Sequence, residues 1–92
     1  MHNHDKKTPG ELHDERRAAT RARFGSTISR LRLDLGLTQE NLAERSGLAA
    51  ETIRRLERGR GSPCFDTMGK LALGLGMRLS ELFDKFELPQ HE

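Results

Sequence analysis

Residues 38–59 read TQENLAERSGLAAETIRRLERG, from Thr38 to Gly59, and this stretch decides the fold. Its core-type positions fall into two short helical groups, Leu42 with Ala43 and Ile53 with Leu56, separated by Ser46, Gly47 and Leu48. Thr38 is a good N-cap with the acid Glu40 in the first turn behind it, and Gly47 and Gly59 are natural stops. The spacing predicts two helices meeting at an angle across a tight turn. Ala43 lets the axes approach, Gly47 takes φ > 0, and Ile53 plugs the angle between the helices.

Toward the N-terminus, Phe24, Ile28, Leu31 and Leu35 recur at spacings of four, three and four, the core-facing stripe of a helix that ends at Gly36. Residues 1–20 are a polar extension, flexible or partly helical. Pro9 and Gly10 punctuate it, residues 1–10 are expected to be disordered, and residues 11–20 offer Leu12 as their one large apolar group, which leaves their state open. Toward the C-terminus, Pro63 marks a boundary, after which Phe65, Met68, Leu71, Ala72 and Leu75 follow helical spacing up to Gly76, in a helix weakened by Gly69 and Gly74. A last short helix is expected to be capped by Ser80, with Glu81 behind it and Leu82, Phe83 and Phe86 as its apolar positions before Pro89. The expectation is an all-α domain of five helices over residues 21–86, followed by a tail at 87–92.

With 92 residues, 34% of them apolar, the chain has material for one small core. No apolar run is long enough to span a bilayer and no charged-then-apolar leader is visible, so a cytoplasmic protein without a membrane partner is expected. Cys64 is the only cysteine, which excludes an intramolecular disulfide; a place at a helix start would ease its ionisation. The formal charge of +2 is unevenly spread. Residues 21–60 hold nine arginines against five acids, net +4, while residues 1–20 are neutral and residues 61–92 carry −2. A segment whose only cation is arginine suits phosphate oxygens, because the guanidinium fork matches them. His2, His4 and His13 lie near Asp5, Asp14 and Glu11, but with no rigid scaffold they read as a solvated tail and not as a metal site. No nucleophile elbow, phosphate-binding glycine loop or zinc-binding histidine pair is present, so neither an enzyme nor a cofactor is expected.

Residues 22 to 84 resemble the phage-repressor and Cro family, the XRE-type transcriptional regulators. The resemblance is carried by Arg32 before Gly36, Leu37-Thr38-Gln39, Leu42-Ala43, Gly47-Leu48, the Ile53 to Gly59 stretch, Pro63, Asp66-Thr67 and Leu82-Phe83. It implies a lambda-repressor-like fold in which residues 38–59 form a helix-turn-helix, and a sequence-specific regulator of transcription on double-stranded DNA, expected to be a repressor. In that family the residue matching Gln39 contacts a phosphate and supports a base-reading side chain. Those matching Ala50, Glu51 and Arg54 face base edges, and those matching Arg32 and Glu57 pair. Ala49 departs from the pattern, since a hydroxyl or amide residue commonly caps the second helix there and touches a phosphate.

Elementary chemistry agrees with these implied roles. A helix start near Thr38 and Gln39 points free N–H groups outward, a ready anchor for phosphate. Positions 50, 51 and 54 lie opposite Ile53 and Leu56, where Arg54 suits guanine O6 and N7 and Glu51 suits the cytosine amino group. Ala49, Thr52, Arg55, Arg58 and Arg60 flank this face and are expected along the DNA backbone. Arg32 and Glu57 are expected to tie the first helix to the end of the third. One motif covers only a few base pairs, so a homodimer on a pseudo-palindromic operator is expected, with Met77, Phe83, Phe86 and Leu88 as its interface, Phe83 having the alternative of filling the core. Two other functions would use the same fold: an antitoxin that regulates its own synthesis and binds a toxin through a terminal segment, and a protein-binding adaptor that has lost DNA contact.

Overall fold

The computed structural model describes residues 6–86. Five α-helices follow one another, α1 (Pro9–Asp34), α2 (Gln39–Ser46), α3 (Ala50–Glu57), α4 (Phe65–Gly74) and α5 (Leu79–Lys85), with no strand among the described residues. The fold is all-α, as expected.

The first helix is longer than apolar periodicity suggests. The Thr8 hydroxyl accepts from the Glu11 N–H at 3.1 Å while the Glu11 carboxylate accepts from the Thr8 N–H at 2.7 Å, and Pro9 sits at the first helical position, where its missing N–H leaves nothing unsatisfied. Pro9 and Gly10 are therefore a helix start, and residues 11–20 are helical although none of them is buried. The Thr8 backbone N–H also holds the Glu11 carboxyl below its usual range. Residues 1–5, part of the segment expected to be disordered, lie outside the described residues, as does the tail at 87–92.

All five helices contribute to one core. Phe24, Ile28 and Leu31 come from α1, Leu42 and Ala43 from α2, Ile53 and Leu56 from α3, Leu71 and Ala72 from α4 with Leu75 just beyond it, and Leu82 from α5. Three expectations need correction. Leu35 is 50% exposed, because it caps α1 after the buried stripe has turned away, and Phe65 is 73% exposed at the first position of α4. Helix α5 begins at Leu79, with the Glu81 carboxylate accepting from the Arg78 N–H at 2.7 Å, so Ser80 lies inside the helix and does not cap it. Phe86 packs edge-on to Phe24, with ring centroids 5.1 Å apart.

Two glycines set how closely the helices pack. A Cβ on Gly25 would stand 2.2 Å from the Leu56 carbonyl oxygen, so α1 can cross α3 backbone to backbone only where a side chain is missing. Gly74, expected only to weaken α4, plays the same part against α2, since a Cβ there would lie 2.0 Å from Ser46 Oγ. Arg45 closes this second crossing by donating from Nε to the Gly74 carbonyl at 2.7 Å. By contrast, a Cβ on Gly69 meets nothing within 4 Å.

These environments predict opposite signs for one chemical change. Gly69→Ala should stabilise by about 0.5–1 kcal/mol through helix propensity. Gly25→Ala should destabilise by about 1–3 kcal/mol through overpacking that outweighs the same propensity gain. Urea denaturation of the two variants checks the pair.

Candidate nucleic-acid interface

The interface is organised around Arg32, near the end of α1. Its guanidinium meets the Glu57 carboxylate with two parallel bonds, Nε to Oε2 at 2.6 Å and Nη2 to Oε1 at 3.0 Å, and donates a third from Nη1 to the Leu37 carbonyl at 2.8 Å. The two side chains are 10% and 7% exposed, so the pair is buried, and the hydrogen bonds that the guanidinium donates to Glu57 raise its pKa above the ordinary value. The Gln39 amide completes the network by donating from Nε2 to Glu57 Oε1 at 2.9 Å. In this arrangement α1, the start of α2 and the end of α3 are locked together. The side chain of Gln39, expected to reach a phosphate, gives one Nε2 hydrogen to Glu57 and keeps a second N–H, and the backbone at the start of α2 offers further donors.

That backbone is available. Thr38 Oγ accepts from the Asn41 N–H at 2.9 Å and Asn41 Oδ1 accepts from the Thr38 N–H at 3.1 Å, a reciprocal cap that leaves the Gln39 and Glu40 amides without a helical acceptor. Helix α3 starts on Ala49, which gives no side-chain cap, so its first amides are free as well. Ala50, expected at base edges, is half-buried against the core.

The remaining residues expected to read bases are brought together by ion pairs. Arg54 donates from Nε to Glu51 Oε1 at 3.1 Å and from Nη1 to Glu40 Oε2 at 3.0 Å, so the side chains expected to read separate bases are paired with each other and with a residue of α2. The Arg54 pKa is raised, first by the Glu51 hydrogen bond. Glu40 was missed as a site residue: the i, i+3 spacing of Glu51 and Arg54 is legible in the sequence, but the approach of Glu40 needs the α2–α3 crossing.

Arg55, Arg58 and Arg60 are exposed. Arg55 and Arg60 share a groove with Thr52, Ser62, Cys64 and Thr67. The Cys64 thiol, at the start of α4, shares a hydrogen bond with the Thr67 hydroxyl at 3.3 Å, and the Thr67 side chain and backbone lower its pKa. Sequence reasoning left Ser62 and Thr67 out of this groove. Of the side chains expected between subunits, Met77 and Phe86 pack partly buried against the protomer's own core, Phe83 is 45% exposed and so does not fill the core, and Leu88 lies outside the described residues.

Two helices at an angle, locked by a buried ion pair and opening their N-termini beside a cationic loop, match the HTH_3 helix-turn-helix family over residues 28–82. The chain belongs to that family. An HTH-type transcriptional regulator of Sinorhizobium fredii, y4dJ, is 45% identical over 58 residues, covering 63% of this chain and 75% of that one. PuuR of Escherichia coli, also an HTH-type transcriptional regulator, is 38% identical over 65 residues, which cover 71% of this chain but only 35% of PuuR. Among solved structures, the restriction-modification controller protein C.AhdI of Aeromonas hydrophila is 36% identical, with a TM-score of 0.65, covering 68% of this chain and 96% of that one. This HTH_3 chain thus sits among DNA-binding regulators of transcription and not among enzymes. No helix among the described residues is long and apolar enough to cross a membrane.

Breaking the buried pair leaves a carboxylate without its cation. Arg32→Ala should therefore destabilise the HTH_3 domain by about 3–5 kcal/mol and weaken DNA binding with it. Thermal melting and a binding titration below the melting point check both; unchanged melting contradicts the assigned role.

Proposed function

We propose that the chain regulates transcription by sequence-specific binding of duplex DNA, with α3 in the major groove and a second copy on the other half of a pseudo-palindrome. The observation that carries this reading is the meeting of Glu40 and Glu51 on Arg54. One carboxylate stands at the start of α2 and the other at the start of α3, so both helix N-termini, with their free amides, open to one side. On that side they can receive phosphate while the α3 side chains meet base edges.

The roles then follow from exposure and charge. The Glu40 and Glu51 side chains are 68% and 61% exposed, so their pairs with Arg54 are worth little and exchange readily for guanine O6 and N7. Glu51 accepts from a cytosine amino group. Arg55, Arg58 and Arg60 hold the backbone. Phe83, joined by exposed Phe65 and Leu73, offers apolar surface to a second copy. A dimer seated on a promoter blocks it, so repression is the simplest consequence. The likeness to C.AhdI, a controller protein matched over 96% of its length, supports regulation through this domain.

Selection from random duplexes at fixed salt tests the reading. Wild type should enrich a pseudo-palindrome, and Arg54→Ala should change the preferred bases at about 1–3 kcal/mol per lost contact. Arg58→Ala should weaken all sequences alike and flatten the salt dependence by about one contact. Failure to enrich any sequence contradicts the function, and a monomer at high concentration, with and without DNA, contradicts the dimer.

A further inference from the structure

Helix α4 carries apolar side chains on two faces. Leu71 and Ala72 are buried in the core with Leu75 just beyond the helix, and Met68 packs partly buried beside them. On the other side Phe65 is 73% and Leu73 is 72% exposed, the two most exposed of the large apolar side chains among the described residues. Steps of four residues put Phe65, Gly69 and Leu73 on one stripe, beside exposed Asp66 and Lys70, which are the only charged residues of the helix. A helix that is apolar all round is one that is covered all round, and here only the core side is covered.

Gly69 is the second observation. Glycine is a weak choice inside a helix, and Gly25 and Gly74 have a neighbouring helix standing where a side chain would be. Nothing on its own chain uses the space at Gly69, since a Cβ there meets nothing within 4 Å. The gap lies between the two exposed apolar side chains, one turn from each. Bare backbone at the middle of such a ridge is where another helix can approach most closely, because ridges of residues four apart interdigitate when helices cross. The course of α4 then sets the orientation. Its start shares a groove with Thr52 and Arg55 of α3, and Gly74 at its end meets Ser46, the last residue of α2. The starts of α2 and α3 form the proposed DNA side, so α4 runs away from the duplex. The twofold axis of a pseudo-palindrome also points out from the duplex, and it relates two such helices like end to like end.

We propose that two copies of the chain are held together through α4, with the helices crossing at Gly69, Phe65 meeting its counterpart on one side of the crossing and Leu73 its counterpart on the other. Charge is compatible with this symmetry. No ionised group lies on the stripe, and Asp66 of each copy comes within one turn of Lys70 of the other, so the acid and the base of the two copies attract across the seam. In the separate chain a side chain at position 69 is free to favour the helix; in the pair there is no room for it. The inference rests on the proposed second copy and adds the face and the point of contact, and it is independent of which bases α3 reads.

The full chain is sedimented over a range of concentrations and titrated with duplexes carrying the selected pseudo-palindrome or one half of it. Wild type should dimerise. Gly69→Gln adds bulk without charge at the crossing and should weaken the dimer by about tenfold or more, with a matching loss on the full site. Its half-site affinity and the melting of dilute protein should stay as in wild type, because the position is open in the separate chain. In a chain carrying Cys64→Ser, Gly69→Cys should yield a disulfide-linked dimer on mild oxidation, since cysteines bridge when their Cα atoms stand about 4.4–6.8 Å apart. Glu44→Cys, at an exposed position of α2, should not. A dimer that Gly69→Gln leaves intact, a Gly69→Cys chain that does not link, or an equal loss on full site and half-site overturns the pairing through α4 and leaves α3 as the reader. A wild-type chain that stays monomeric with and without DNA overturns the pairing together with the second copy.

Discussion

The buried contact between Arg32 and Glu57 is the interaction on which the orientation of α3 depends. It joins residues that are 25 positions apart, and both of its carboxylate oxygens are occupied, with Gln39 adding a further bond. A guanidinium suits this place because its fork satisfies two carboxylate oxygens and the Leu37 carbonyl together; an ammonium would act as a point charge and leave the geometry loose. The consequence for function is angular. Helix α3 can place side chains in a groove only if its axis is held relative to the amides that open α2, and this network ties the two together.

Close packing provides the second constraint. Gly25 lets α1 lie against the carbonyl end of α3, and Gly74 lets α4 lie against Ser46 at the end of α2. These crossings fix the scaffold from behind, so that the solvent face of the motif is free to be built from polar groups. Charge on that face is divided. Carboxylates of Glu40 and Glu51 sit over Arg54, while Arg55, Arg58 and Arg60 are exposed around it. On the proposed function, such an interface would bind weakly to arbitrary DNA through its rim and distinguish sequences by whether a base repays release of Arg54 from its acids.

The architecture was legible because its signals are local. The Thr38 cap, the Gly47 turn and the spacing of Ile53 and Leu56 each report on a few neighbouring residues, and all are found where they were expected. The extent of α1 was hidden for a different reason: hydrophobic periodicity detects a helix that faces a core, and residues 11–20 face none. Its signal lay instead in Thr8 and Glu11, a reciprocal cap ahead of helix-forming residues. Within the site, residue identity was more legible than contact. The Arg32–Glu57 pair followed from a resemblance. The attachment of Gln39 to Glu57 and of Glu40 to Arg54 spans 18 and 14 positions and arises only once α2 and α3 have crossed. For the same reason Gly25 and Gly74 look like weak helix positions in the sequence and become intelligible only against their neighbours. Met77 and Phe86 look spare in a list of apolar residues, yet the small core uses both.

The most direct test of the account is a double-mutant cycle on Arg32→Ala and Glu57→Ala, read both as unfolding free energy and as DNA affinity at a temperature where every variant is folded. The account predicts strong non-additivity in stability, with a coupling of about 1–3 kcal/mol, and weakened DNA binding in each single variant. Additive effects on stability, or full DNA affinity after the pair is broken, would contradict the claim that this contact sets the reading helix.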